Sequence, residues 1–285
     1  MQKNFSLLLS SNGQYLSLGS GTDFVISNHS GFESPSCSVN LSANAQLDGA
    51  VVIDKKLLPR TLSFSCECFS QDASQLIRNR LISFFNPHCS GTLTATIGSV
   101  SRKIAYELLS FSFTDKNVAA PPSFSVSLIC PSPYWQDISE FSKNMAGIVG
   151  LFAFPVVIPP AGLALSYREF LQEAVISNPG IRDIGLTVVF RAARGPVTDP
   201  VLYNLSKGCY IKTNLVMQKG DVLSFCTLPG QKRVELNGEN AIRYIDRGSS
   251  FFALSPGDTI LKYDAASGKQ NLDVFPRFTP EYLGI

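Results

Sequence analysis

Apolar and polar residues alternate along most of this chain. Phe124-Ser125-Val126-Ser127-Leu128-Ile129-Cys130 reads as a strand with one buried face, and Thr61 to Cys66, Thr92 to Ile97, Ala105 to Phe113, Gly185 to Phe190 and Gly208 to Leu215 follow the same period of two. Asn12-Gly13, Asp48-Gly49 and Asn237-Gly238 each stand between apolar-rich flanks, and each supplies the positive-φ pair that a two-residue type I′ hairpin turn needs. Short strands separated by turns predict a mainly β chain of antiparallel sandwiches. One stretch has a helical period instead. Leu76, Ile77, Leu81, Phe84 and Phe85 form a stripe over residues 72–86, with Asp72 as the cap and Asn86-Pro87 as the stop. A helix with one apolar face needs a sheet to cover it, so it is expected to pack on the first β-domain.

The strand ending at Cys130 runs into Pro131-Ser132-Pro133-Tyr134-Trp135, which holds the only tryptophan. Neither proline can donate a ladder hydrogen bond and each fixes φ near −65°, so the strand must stop in a stiff exit. Tyr134 and Trp135 are large amphipathic side chains able to hold a domain boundary by burial while keeping a polar partner. The pattern changes after this point. A segment rich in Gly, Pro and Phe spans 136 to about 160, followed by strands to near Tyr263, among them Gly220-Asp221-Val222-Leu223-Ser224-Phe225 and a strand, tight turn and strand over Phe251 to Ile260. The 285 residues suit two domains, 1–135 as an N-terminal β-domain carrying the helix, and 136–285 as a linker and a C-terminal β-sandwich.

Charged residues make up 16% of the chain, below the roughly 25% usual for globular proteins, which predicts neutral contact surfaces. The formal charge is +2 and the basic clusters Lys55-Lys56, Arg78 with Arg80 and Lys232-Arg233 are short, so nucleic acid is not an expected partner. Leu7-Leu8-Leu9 is too short for a secretory signal, and Pro155, Pro159 and Pro160 would break a spanning helix over Met145 to Leu165, so no membrane insertion is expected. Seven cysteines without regular spacing favour reduced thiols.

Catalysis has little to stand on. The two histidines, His29 and His88, lie in predicted loops, and no Gly-x-Ser-x-Gly elbow occurs. Cys66, Cys68, His88 and Cys89 could supply zinc ligands, but their spacing matches no known knuckle, and alternation already explains two buried thiols at 66 and 68. Leu18-Gly19-Ser20-Gly21-Thr22-Asp23 lacks the second half of a phosphate-cradling loop and reads as a turn. Glu33, Asp48, Asp54, Glu67, Glu107 and Asp115 are scattered singly, unlike the paired acids of a glycosidase. The sequence therefore assigns no catalytic, cofactor-binding or metal-binding residue, and no cofactor.

Several pieces in this order resemble the distal tail protein family of long-tailed bacteriophages: the hairpin-rich start, Leu58-Pro59-Arg60 before a strand, Phe84-Phe85-Asn86-Pro87, and Cys130-Pro131-Ser132-Pro133-Tyr134-Trp135. In the second half the likeness rests on Asn178-Pro179-Gly180, Gly220-Asp221, Val234-Glu235-Leu236-Asn237-Gly238, Phe251 to Ile260 and Tyr282-Leu283-Gly284-Ile285. Two places depart from the usual pattern: Ile181 follows Gly180 where a Gly-Asp or Gly-Glu turn is typical, and Thr259 follows Asp258 where Asn is frequent. The resemblance implies a ring-forming N-terminal β-domain with one helix and a galectin-like C-terminal β-sandwich. It also implies a hexameric hub in the virion tail, assembled in the bacterial cytoplasm, with the tail tube protein, tail-tip proteins and receptor-binding proteins as partners. Sugar binding by the sandwich is the alternative. Trp135 and both histidines precede that domain, so Tyr203 or Tyr210 would have to provide the stacking surface.

Overall fold

The computed structural model describes residues 5–43, 48–69, 74–115, 121–142, 144–145, 147–150, 166–169 and 173–285. The chain divides into two compact units, Met1–Ile138 with Glu281–Ile285, and Ser139–Pro280. It is mainly β, with a single α-helix among the described residues.

The first unit contains β1 (Phe5–Ser11), β2 (Gln14–Gly19), β3 (Phe24–Ser30), β4 (Cys37–Ala43), β5 (Ala50–Leu57), β6 (Arg60–Cys68), α1 (Ser74–Phe84), β7 (Gly91–Ile97), β8 (Val100–Thr114), β9 (Ser123–Cys130) and β10 (Trp135–Asp137). Its main sheet runs β2-β1-β7-β8-β9-β6-β3. The long strand β8 serves three partners, pairing with β7 through Tyr106, with β10 at Arg102 and Lys103, and with β9 from Glu107 onward. The register shifts between Leu108 and Ser110, so Leu109 is left outside the ladder and the strand can bend there. Alternation does what the sequence requires: along β6, Arg60, Leu62, Phe64, Cys66 and Cys68 face inward, and Leu62, Phe64, Phe124, Val126 and Leu128 meet Leu7, Leu9 and Leu93 in one core.

The helix closes that core through Ile77, Leu81, Phe84 and Phe85. Leu76, expected on this stripe, is 64% exposed instead. It stands about 100° around the helix from Ile77, whereas Ile77, Leu81 and Phe84 are spaced i, i+4 and i+7. Asp72 lies outside the described residues. At the other end Asn86 Oδ1 accepts the His88 N–H at 3.0 Å, turning the chain before Pro87 could continue a helix.

Two of the three expected hairpin turns form with positive φ at both residues, Asn12 (47°) with Gly13 (74°) and Asn237 (52°) with Gly238 (84°). The third differs. The β4–β5 hairpin exists, but the outermost described pair is Ala43 with Ala50, and of Asp48 and Gly49 only Gly49 has positive φ, so Asp48-Gly49 is not a two-residue turn.

The second unit is a sandwich. One sheet joins β11 (Phe141–Ser142) to strands Thr187–Ala192, Val222–Cys226, Arg233–Leu236, Glu239–Asn240 and Leu272–Phe278, and the other joins Glu173–Asn178, Gly257–Asp264, Val201–Asn204 and Cys209–Lys212. Val188, Phe190, Leu223, Phe225 and Val274 from one sheet meet Ile176, Leu202, Ile211, Leu261 and Tyr263 from the other. Residues 251–256, expected as a strand, make only the isolated bridge Ile184 with Leu254. The turn into Gly257–Asp264 is set by Gly257 at φ 86°.

Candidate assembly surfaces

Three of the singled-out motifs, Leu58-Pro59-Arg60, Cys130 to Trp135 and Tyr282 to Ile285, converge on one side chain. Arg60 is 2% exposed at the start of β6. Its Nη1 donates to the carbonyls of Gly31 (2.6 Å) and Glu33 (2.9 Å), Nε and Nη2 donate to Pro133 (3.2 and 3.1 Å), and Nη2 also donates to Leu283. Burial lowers the Arg60 pKa from its usual value, yet a guanidinium this well supplied with carbonyl oxygens stays charged. The prolines make this arrangement available: Pro131 and Pro133 have no N–H to satisfy, and the exit turns its Pro133 carbonyl to Arg60. Gly31 is required here, since at φ 87° an added Cβ would lie 2.1 Å from the Thr61 oxygen.

The Arg60 guanidinium lies 5.8 Å from the Trp135 ring, which is fully buried and stacks on Phe32 at 5.8 Å. The indole N–H has no acceptor among the described residues, contrary to the expected polar partner. Residues 281–285, grouped with the second domain in the sequence reading, belong to this corner. Trp135 pairs with Tyr282 and Gln136 with Glu281, Arg102 covers the Tyr282 ring at 3.6 Å and donates to the Gly284 carbonyl, and the Ile285 N–H donates to Phe32 at 3.2 Å. Apolar burial of the aromatic ring and these bonds explain why the segment returns to the first unit.

The β4–β5 hairpin has the opposite character. Its two strands pair only with each other. Paired residues share a face, so one side presents Cys37 with Leu57, Val39 with Lys55, Leu41 with Val52 and Ala43 with Ala50, whereas the other presents Ser38 with Lys56, Asn40 with Asp54 and Ser42 with Val51. Both sides are largely exposed, the apolar one included, with Leu41 at 59%, and Ile53, the extra residue of a bulge, reaches 70%. The alternation Cys37-Ser38-Val39-Asn40-Leu41-Ser42-Ala43 is the sequence signal for this surface.

The other candidates from the sequence are placed singly. Cys66 and Cys68 are core thiols whose pKa burial pushes up to about 12 and about 11, so they are protonated at neutral pH and poor ligands. No three metal-ligating side chains gather among the described residues. His29 packs on the Phe5 ring at 4.4 Å. Thr22 Oγ1 donates to the Gly19 carbonyl at 2.9 Å, which makes the glycine-rich stretch a turn between β2 and β3. In the second unit Tyr203 and Tyr210 lie 6.0 Å apart on one sheet face, and the Tyr210 hydroxyl donates to Asp246 Oδ2 at 3.0 Å. That bond raises the Tyr210 pKa and lowers that of Asp246.

The first unit thus combines a self-completed buried corner with a hairpin whose apolar side chains are exposed, and it gathers no catalytic or metal-binding constellation among the described residues. Residues 11–130 match the model of the phage tail protein RIFT-related domain, and residues 182–282 match that of the siphovirus-type tail component, C-terminal domain. The two cover most of the chain, which belongs to the distal tail protein family of long-tailed phages. Among solved structures it is similar to the crystal structure of phage SPP1 Dit (gp 19.1), described as a paradigm of the hub adsorption apparatus in phages infecting Gram-positive bacteria. The identity is 15%, the TM-score 0.69, and the match covers 97% of this chain and 99% of that one. A chain of the phage P2 baseplate in its activated conformation with Ca matches at 8% identity and TM-score 0.53, covering 97% of this chain and 98% of that one. The same baseplate with Sr matches at 8% and 0.52, covering 96% and 98%. At these identities the likeness is one of fold. A comparison with curated proteins finds no match. The resemblance read from the sequence and the mainly β fold it implied are both borne out.

Proposed function

We propose that this chain is the hub of a phage tail tip, with six copies closed into a ring that joins the tail tube to tail-tip and receptor-binding proteins. Its role is structural, it is carried in the virion tail, and it assembles in the bacterial cytoplasm. Family membership supports the tail location, and the single observation that carries self-assembly is the uncovered apolar face of the β4–β5 hairpin. A two-stranded hairpin is marginal in water by itself, and each Leu or Val it buries against a neighbour contributes about 1.5–3 kcal/mol. A low density of charge suits such a surface, because interface cores are depleted in charged residues. Native mass measurement and negative-stain imaging of the full chain test the reading: sixfold rings, forming as concentration rises, are expected, and a dimer at every concentration overturns it.

The half-buried Tyr203 and Tyr210 pair favours a second reading, a sugar-binding platform on the sandwich. A glycan array decides it: binding lost in Tyr203→Ala and Tyr210→Ala supports the platform, and a blank array with folded protein removes it.

A further inference from the structure

The first unit also carries a receptive surface. Between the C-terminal end of α1 and the bend of β8 lies a groove of about 540 Å³ lined by Ile82, Phe85, Pro87, Leu108, Leu109 and Phe111, with Ser83, Asn86 and Ser110 as its polar members. Among the described residues no charged side chain lines it. Ile82 and Leu109 stand at its rim, both largely exposed, while Phe85 stacks on Phe111 at 5.1 Å to form the floor. The β8 bulge creates the opening, because it removes Leu109 from the ladder, and beyond the bulge β8 pairs only with β9.

We infer that this groove receives the β4–β5 hairpin of a second copy of this chain, an inference that rests on the ring reading above. Three observations select that occupant. The outer half of the hairpin's apolar side, Leu41, Ala43, Ala50 and Val52, is uncharged, as the groove is, and the charges Asp54, Lys55 and Lys56 stay at the hairpin's base. The two surfaces occupy different flanks of the same strands: in the order β8-β9-β6-β3, the groove lies beyond β8 and the hairpin springs from the connection between β3 and β6. A protruding patch and a receptive patch on separate flanks give a heterologous, head-to-tail contact, which is the kind that closes into rings of more than two. Finally, within one copy the hairpin pairs with no other described strand, which leaves its apolar face to be covered.

Disulfide trapping tests the pairing. In a Cys37→Ser background, the full chain carrying both Leu41→Cys and Leu109→Cys should give under mild oxidation a ladder of covalent oligomers up to six, with neither single variant passing a dimer. Rings by native mass with no ladder from the double variant overturn the groove assignment and leave the ring standing. Monomers at every concentration in the unmodified chain overturn the ring and the groove together. A second measurement uses exposed positions that leave the fold intact: Leu41→Asp and Leu109→Asp should each be monomeric where the unmodified chain forms rings. Mixed one to one, they should form a heterodimer, since one intact contact survives. A mixture that stays monomeric, or either variant still forming rings, overturns the proposal.

Discussion

The Arg60 corner and the β4–β5 hairpin follow one another in the chain and solve opposite problems. At the corner, every hydrogen-bonding group of a buried cation meets a carbonyl oxygen, and the acceptors come from three separated stretches, around positions 31–33, 133 and 283. Across the hairpin, apolar side chains are held in register with nothing above them. The first is completed by the chain itself, and the second is the one proposed above to await another copy of the chain. On that proposal, stability and assembly are carried by different residues of one unit, and a mutation should affect one without the other.

The largest effect is expected from Arg60→Met. Removing the guanidinium leaves the Gly31, Glu33, Pro133 and Leu283 carbonyls without their buried donor, and breaking a buried charged network of this kind costs about 3–5 kcal/mol. Urea unfolding followed by the fluorescence of Trp135 reports on this unit directly, and a change below about 1 kcal/mol would mean that the corner is not a keystone. Deleting residues 281–285 should act in the same direction at about 2–3 kcal/mol, since it removes Tyr282 from Trp135 and Arg102 and one acceptor from Arg60. The same fluorescence transition measures it.

Thiols sharpen the contrast. Cys130 is buried one strand across from Arg60, and burial pushes its pKa up to about 12, whereas Cys37 is exposed at the hairpin base. A thiol reagent at pH 8 should label Cys37 in the folded monomer and reach Cys130 only after denaturation. The linkage has a definite sign. The folded state keeps Cys66 and Cys130 protonated while the unfolded chain ionises them above about pH 9, so their contribution is complete below about pH 9 and is lost as pH rises towards about 12. Urea midpoints that rise over that range would contradict it. The smallest effect on folding should come from Leu41→Ser with Val52→Ser, within about 0.5 kcal/mol in the monomer, because both side chains are already in water. Loss of rings from this variant by native mass, with an unchanged melt, would separate the two surfaces cleanly.

Features fixed by neighbouring residues were legible in the sequence. Asn12-Gly13 and Asn237-Gly238 form hairpin turns because positive φ is a local demand, and β6 to β9 followed their alternation. Asp48-Gly49 misled because only Gly49 of the pair has positive φ. The helix stripe was read one residue too wide at Leu76. The corner was not legible as a site: Pro133, Arg60 and Leu283 are far apart in sequence, and only the folded β6, β9 and β10 bring their polar groups within reach. The resemblance had drawn attention to all three segments without indicating that they meet. The hairpin's open face could have been found from the alternation of Cys37 to Ala43, but no pattern of spacing reveals whether a face is covered.

The return of residues 281–285 to the first unit makes residues 139–280 an insertion tethered at both ends. A single cut anywhere in that insertion leaves each fragment anchored, one by β10 and the other by Tyr282 and its neighbours. Two cuts are needed to shed any of the second unit, so one proteolytic nick would leave it attached to the first.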